Sequence, residues 1–143
     1  MKETIIVGII GTGGIAGGKH MPALAKLEGV EMTAFCDIEQ AKAQAAARRF
    51  GTSDAKVYAD YRELLKDPTI DVVHVLTPND SHAEITIAAL EAGKHVMCEK
   101  PMAKKAADAR RMLEAARRTG KKLSIGYQTR QAAESQYLKK ICA

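Results

Sequence analysis

Tryptophan is absent from this chain, and aromatic residues make up only 4% of it. The net charge of +5 would by itself admit a nucleic-acid partner. However, the basic residues fall in pairs, Arg48-Arg49, Lys104-Lys105, Arg110-Arg111 and Arg117-Arg118, mixed with acids and almost without aromatics. That pattern describes solvated helix faces and argues against a nucleic-acid surface. Three cysteines, Cys36, Cys98 and Cys142, are widely spaced with no C-x-x-C pair, and the histidines do not cluster. A disulfide framework and a zinc site are therefore not expected, and a reducing cytoplasm fits. Nor does any run approach the ~20 apolar residues of a membrane span. The apolar stretch after Lys2, Ile5 to Ile10, is shorter than the 7–15 residues of a signal-peptide core, and it reads as a buried first strand.

What remains is ordinary for a globular protein: 143 residues, 46% hydrophobic and 27% charged, which is one domain's worth of chain with room for a proper core. Short β-branched apolar segments alternate with longer segments rich in Ala, Glu, Lys and Arg. Strands are expected near 4–10, 30–36, 56–58, 71–76, 94–98 and 122–126, and helices near 14–27, 39–50, 61–66, 80–92, 103–119 and 131–141. Boundary residues support this division. Asp60 with Glu63 forms a capping-box pattern, Gly51, Gly93 and Gly120 follow helix ends, and Pro68 closes the third helix. Strand–helix alternation implies a parallel sheet covered on both faces, and right-handed crossovers make it an α/β doubly wound sheet of Rossmann type.

The first strand runs into Gly11-Thr12-Gly13-Gly14-Ile15-Ala16, a G-x-G-x-x-A turn that opens a helix. The first Gly permits a tight strand-to-helix turn and the second lets backbone approach a pyrophosphate, which lies on the helix N-terminus. Ala16 is small enough for close helix–strand packing. The second strand ends in Asp37, about 20 residues beyond the glycines, where a dinucleotide fingerprint needs a carboxylate for the adenosine ribose. Asp37 also suits a helix cap for the segment that begins near Glu39, and the two roles are compatible. A carboxylate here repels a 2′-phosphate, and Ile38 offers no arginine beside it, so NAD is expected over NADP. Lys42, one turn on, keeps NADP open. A mildly basic surface suits a phosphate-bearing cofactor.

Further polar groups fall at the expected carboxyl edge of the sheet. Thr77-Pro78-Asn79 follows the fourth strand, with Asn79 or Asp80 as a helix cap, Thr77 and Asn79 over the cofactor and His82 beside it. His74, mid-strand, is expected to be a hydrogen-bonded core residue. Glu99-Lys100-Pro101 follows the fifth strand. Lys100, pinned between strand and proline, could hydrogen-bond a substrate hydroxyl and stabilise charge that develops during hydride transfer. After the last strand comes Gly126-Tyr127-Gln128-Thr129-Arg130, where Gln128 or Arg130 could face the same pocket.

In this order, Gly11–Ala16, Cys36-Asp37-Ile38, Thr77–His82, Glu99–Pro101 and Gly126–Arg130 resemble the N-terminal half of the Gfo/Idh/MocA oxidoreductases, over about residues 3 to 130. The resemblance implies NAD(P)-dependent hydride transfer at a hydroxyl-bearing carbon of a sugar, cyclitol or derivative, in a homo-oligomeric enzyme. It assigns Gly11, Thr12, Gly13, Gly14 and Ile15 to the pyrophosphate and Asp37 to the ribose. Thr77, Asn79 and His82 go to the nicotinamide half, with Glu99 and Gln128 at the same end, and Lys100 to both cofactor and catalysis. Family members continue into a second α/β domain that supplies a further Asp and His, the latter the usual proton acceptor or donor. Residues 1–127 thus read as the dinucleotide-binding domain and 128–143 as the start of a truncated second domain, with the chain inactive by itself. Two alternatives remain: a stand-alone NAD(H)-binding or regulatory module, and a nucleoside-cofactor methyltransferase, which the Thr-Pro-Asn and Glu-Lys-Pro motifs fit poorly.

Overall fold

Each apolar segment forms one strand of a single six-stranded parallel sheet in the computed structural model, which describes residues 4–142. The strands are β1 (Ile5–Ile10), β2 (Val30–Cys36), β3 (Lys56–Tyr58), β4 (Val72–Val75), β5 (His95–Cys98) and β6 (Leu123–Ile125). Their spatial order is β3-β2-β1-β4-β5-β6. The order reverses between β1 and β4, and such a switch point leaves a crevice outside the carboxyl ends of the strands.

Five helices lie between the strands, α1 (Met21–Leu24), α2 (Gln40–Phe50), α3 (Tyr61–Leu65), α4 (His82–Glu91) and α5 (Ala106–Thr119), and α6 (Ala133–Ile141) follows the last strand. A 3-10 turn, Gln128–Gln131, precedes α6. The helix expected over 14–27 differs in kind. Its middle, Ala16–His20, is a π-helical turn that runs directly into α1, and it stops at Leu24. Gly17 and Gly18 sit in that turn, where backbone freedom accommodates the wider coil.

Strand alternation splits the core in two. Val7, Ile9 and Phe35 point to one face and pack with Ala16, Met21, Ala43 and Ala46. On the other face Ile10, Ala34, Cys36, Val73 and Val75 pack with Leu64, Ile85, Leu90 and Met112. Gly8 faces Leu64, whose Cδ2 would lie 3.1 Å from a Cβ at that position.

Several boundary expectations shift. Asp60 caps α3 by accepting the Arg62 N–H at 2.9 Å, and no reciprocal bond from Glu63 completes a capping box. Helix α4 begins at His82 with Ser81 as its cap residue, in place of Asn79 or Asp80. The Ser81 hydroxyl turns back to the Pro78 carbonyl and Thr77 Oγ1, so it holds the loop and leaves the helix N–H groups. Gly93 and Gly120 are left-handed turns, with φ of +79° and +66°. Gly51 is extended; a Cβ there would meet Ala55 Cβ at 2.7 Å and the Phe35 ring at 2.8 Å, so packing selects the glycine. Among the described residues no helix is long and apolar enough to cross a membrane.

Candidate active site

The turns after β1, β2, β4, β5 and β6 all emerge on the carboxyl edge, so the sheet gathers the sequence motifs on one side. Gly11 has φ +88°, and a Cβ there would lie 2.7 Å from the Leu76 carbonyl carbon. Its N–H donates to the Cys36 carbonyl at 2.8 Å. Gly11 is therefore fixed by its neighbours, the ends of β2 and β4. Gly13 and Gly14 differ, since a Cβ on either would meet nothing within 4 Å. They border open space at the start of the helix, where the first N–H groups have no intrahelical acceptor. That combination of room and aligned donors fits a dinucleotide pyrophosphate.

Asp37 is clamped to the glycine turn. Its Oδ2 accepts from the Thr12 N–H at 2.9 Å and the Thr12 hydroxyl at 3.0 Å, and its Oδ1 accepts from the Glu39 N–H at 2.9 Å. These bonds leave acceptor sites over, because a carboxylate has about four and stays partly exposed here. The bond to Glu39 precedes α2 without making Asp37 its cap residue, which is Glu39. Gly11, Gly13, Asp37, Ile38, Thr77 and Ser81 line a cleft of about 670 Å³, together with Tyr61 and Arg62. Ile38 is 93% exposed beside the Asp37 carboxylate, an apolar wall that the sequence signalled only as a lone apolar residue among polar ones. Lys42 pairs with Glu39 at 2.6 Å, and Arg62 pairs with Glu84 at 2.7 Å. The Cys36 thiol, pushed up to about 12 by burial and by Asp37 and Asp60, stays protonated beneath the cleft.

A second constellation lies beyond the cleft. Glu99 is buried at the end of β5, and its Oε1 accepts from Gln128 Nε2 at 2.7 Å and His20 Nε2 at 2.8 Å. Its Oε2 accepts from the Lys100 N–H at 2.9 Å. Burial pushes the Glu99 carboxyl up, but the bonds from His20, Lys100 and Gln128 outweigh it and hold the group below the usual carboxylate range. The Lys100 side chain is exposed, next to a cis bond to Pro101.

His82 lies elsewhere than expected. It is fully buried, with Nδ1 2.8 Å from the Pro101 carbonyl oxygen and Nε2 2.9 Å from the Thr77 carbonyl oxygen. Both ring nitrogens face backbone carbonyl oxygens, which only accept, so a neutral ring donates to one of the two, and His82 sits between the β4 and β5 loops beneath the edge. Asn79 stands exposed in the turn before α4, and Thr77 Oγ1 accepts from Ser81 Oγ at 2.7 Å. His74 is hydrogen-bonded as expected, with its Nδ1 3.3 Å from His20 Nδ1. His20 escaped the sequence reading. Its contact with Glu99 spans 79 positions, and the π-turn that aims it inward has no signal beyond Gly17-Gly18.

The comparisons agree with this geometry. Residues 5–127 match a family model described as an oxidoreductase family with an NAD-binding Rossmann fold. Inositol 2-dehydrogenase of Salmonella typhimurium is 43% identical over 129 residues, covering 89% of this chain and 38% of the relative. D-glucoside 3-dehydrogenase of Escherichia coli is 41% identical over 133 residues, covering 93% and 37%. Among solved structures, the WlbA dehydrogenase of Chromobacterium violaceum, in complex with NADH and UDP-GlcNAcA, superposes with a TM-score of 0.89. It is 35% identical and covers 96% of this chain and 39% of its own. A 3-ketoreductase from Actinomadura kijaniata, in complex with NADP and TDP-benzene, also gives 0.89 at 30% identity, covering 97% and 42%. The chain thus spans about two-fifths of the length of these proteins. With its parallel sheet, its glycine turn and the motifs gathered at the carboxyl edge, this chain belongs to the Gfo/Idh/MocA oxidoreductase family, as its NAD-binding Rossmann portion.

Proposed function

We propose that this chain holds the dinucleotide of a dehydrogenase that moves a hydride between nicotinamide and a hydroxyl-bearing carbon of a sugar or polyol. The observation that carries the reading is the contrast within the glycine turn, where Gly11 is pinned by backbone while Gly13 and Gly14 face open space. Gly13, Gly14 and Ile15 offer backbone to the pyrophosphate, and Thr12 holds Asp37 so that its remaining acceptor sites meet ribose hydroxyls. Thr77 and Asn79 border the nicotinamide half, with His82 supporting them from below. Glu99 and Gln128 fix the β5 and β6 turns at the same end. When bound, the nicotinamide supplies hydride acceptance and donation. Lys100, exposed at that edge, hydrogen-bonds the reacting oxygen and stabilises charge there.

The Asp37 carboxylate and the engagement of Lys42 and Arg62 with acids favour NAD over NADP. Residues 128–143 lead into a second domain that completes the substrate pocket of a cytoplasmic, homo-oligomeric enzyme without nucleic-acid function. Titration with NADH and then NADPH, followed by reduced-nicotinamide fluorescence, tests this directly, because the chain has no tryptophan background. Saturable binding is expected, tighter for NADH. Asp37→Ala should weaken NADH about tenfold and narrow the preference. Equal or absent binding of both cofactors by the unmodified chain would refute the reading.

A further inference from the structure

The hydrogen-bond directions around Glu99 can be worked out from chemistry alone. A carboxylate only accepts, so His20 Nε2, 2.8 Å from Glu99 Oε1, must carry a hydrogen. In the uncharged ring Nδ1 is then bare and can only accept. Its neighbour is His74 Nδ1 at 3.3 Å, with the two rings edge to face, their centroids 5.4 Å apart and planes at 81°. His74 must therefore carry its hydrogen on Nδ1, the less common form of free histidine. Burial, and His20 beside it, hold the His74 ring down to about 4, so it serves as a neutral donor near pH 8. The chain of bonds runs from His74 to His20 to Glu99, and the same carboxylate receives the Lys100 N–H and the Gln128 amide.

We infer that His20 is a positioning residue: by donating from Nε2 to Glu99 it locks the carboxylate that sets the Lys100 backbone and Gln128. The functional value of that lock rests on the role proposed above for Lys100. Three features make the arrangement specific. The His20 and Glu99 side chains are 8% and 6% exposed, so water does not compete effectively for the bond. The π-turn adds a residue to its coil and so changes the direction of side chains at its end, where His20 lies. Gly126 leaves room for the carboxylate, since a Cβ there would lie 3.0 Å from Glu99 Oε1. A single buried acid thus connects the glycine-turn helix, the β5 edge and the β6 edge.

Histidine side-chain nitrogen NMR on the 143-residue protein at pH 8 provides the first test. Hydrogen on Nε2 of His20 and on Nδ1 of His74 is expected; a His20 ring with no hydrogen on Nε2 would overturn the inference. The second test is hydrogen exchange at the Lys100 amide. His20→Phe should accelerate it at least tenfold, while His20→Gln, which keeps an N–H donor, restores most of the protection. Equal exchange in the original protein and His20→Phe, or equal acceleration in both variants, would sink the positioning role. Should His20→Phe fail to fold, the tautomer measurement on the unmodified protein still decides the matter. NADH affinity in the same samples separates the two ideas: an original protein that does not bind NADH refutes the proposed function, whereas Lys100 exchange judges His20 independently.

Discussion

Two glycines separated by one residue carry opposite consequences. Gly11 has a left-handed backbone with neighbouring backbone 2.7 Å from where a Cβ would stand, so Gly11→Ala strains both the dihedral and the β4 end. A loss of roughly 2 kcal/mol or more is expected in urea unfolding. Gly13 has open space in the same direction, so Gly13→Ala should unfold within about 0.5 kcal/mol of the original. It should nonetheless lose most NADH affinity, because the methyl occupies the room assigned to the pyrophosphate. Unfolding curves and fluorescence titrations on both variants check the pair. A stable Gly13→Ala that binds NADH normally would mean that this space is not the cofactor's. The sequence pattern assigns the turn to the first glycine and the pyrophosphate approach to the second, but it also places Gly11 among the pyrophosphate-binding residues. The Leu76 contact, brought in by the β1–β4 pairing, gives that division its physical reason: neighbouring backbone fills the space at Gly11, and nothing fills it at Gly13 and Gly14.

Among the elements, the connection from α3 to β4 hangs on one carboxylate. Asp67 accepts from the Thr69 hydroxyl at 2.6 Å, from the Thr69 N–H at 3.0 Å and from Lys56 at 2.9 Å, while its carbonyl accepts from the buried Lys94 ammonium at 2.5 Å. The Thr69 hydroxyl first, and then Lys56, pull the Asp67 carboxyl down to about 2. The folded form therefore holds this proton less readily than the unfolded chain. The stabilisation is complete above about pH 4 and disappears as pH falls toward 2, with a magnitude on the order of 1 to 2 kcal/mol. Comparison of urea midpoints at pH 6 and pH 2.5 should show a larger acid loss in the original than in Asp67→Asn; parallel losses would contradict the assignment. Element type was legible in the sequence wherever apolar periodicity was strong, as in β1, β2 and α5. It was not legible at Ala16–His20, because an α-turn and a π-turn share the same polar pattern. The His20–Glu99 pair was hidden for a related reason, since periodicity reports which face a residue occupies and not which distant residue meets it. The inward location of His82 was hidden likewise, because a His in a first helical turn suits surface and interior equally.

Across the whole molecule, the apolar mass is divided between two clusters on opposite sheet faces, and neither includes any residue of α6. That helix buries no residue, and Tyr137, Leu138 and Ile141 stand 65%, 56% and 62% exposed. Removal of residues 133–143 should therefore change unfolding free energy by no more than about 0.5 kcal/mol. Thermal melts of the two lengths test this, and a large drop would mean that α6 packs on the domain in solution. The strand order was legible only as a class, because alternation of strand and helix implies a doubly wound sheet while pairing partners depend on long-range register.

Everything assigned to chemistry lies at the carboxyl edge, whereas Gly29, Gly93 and Gly120 turn the chain at the opposite edge with φ of +70°, +79° and +66°. Gly93 and Gly120 are exposed, and a Cβ on Gly120 would meet nothing within 4 Å. The amino edge is accordingly the side on which to immobilise this protein or attach a reporter dye, with its working face left turned toward the solution.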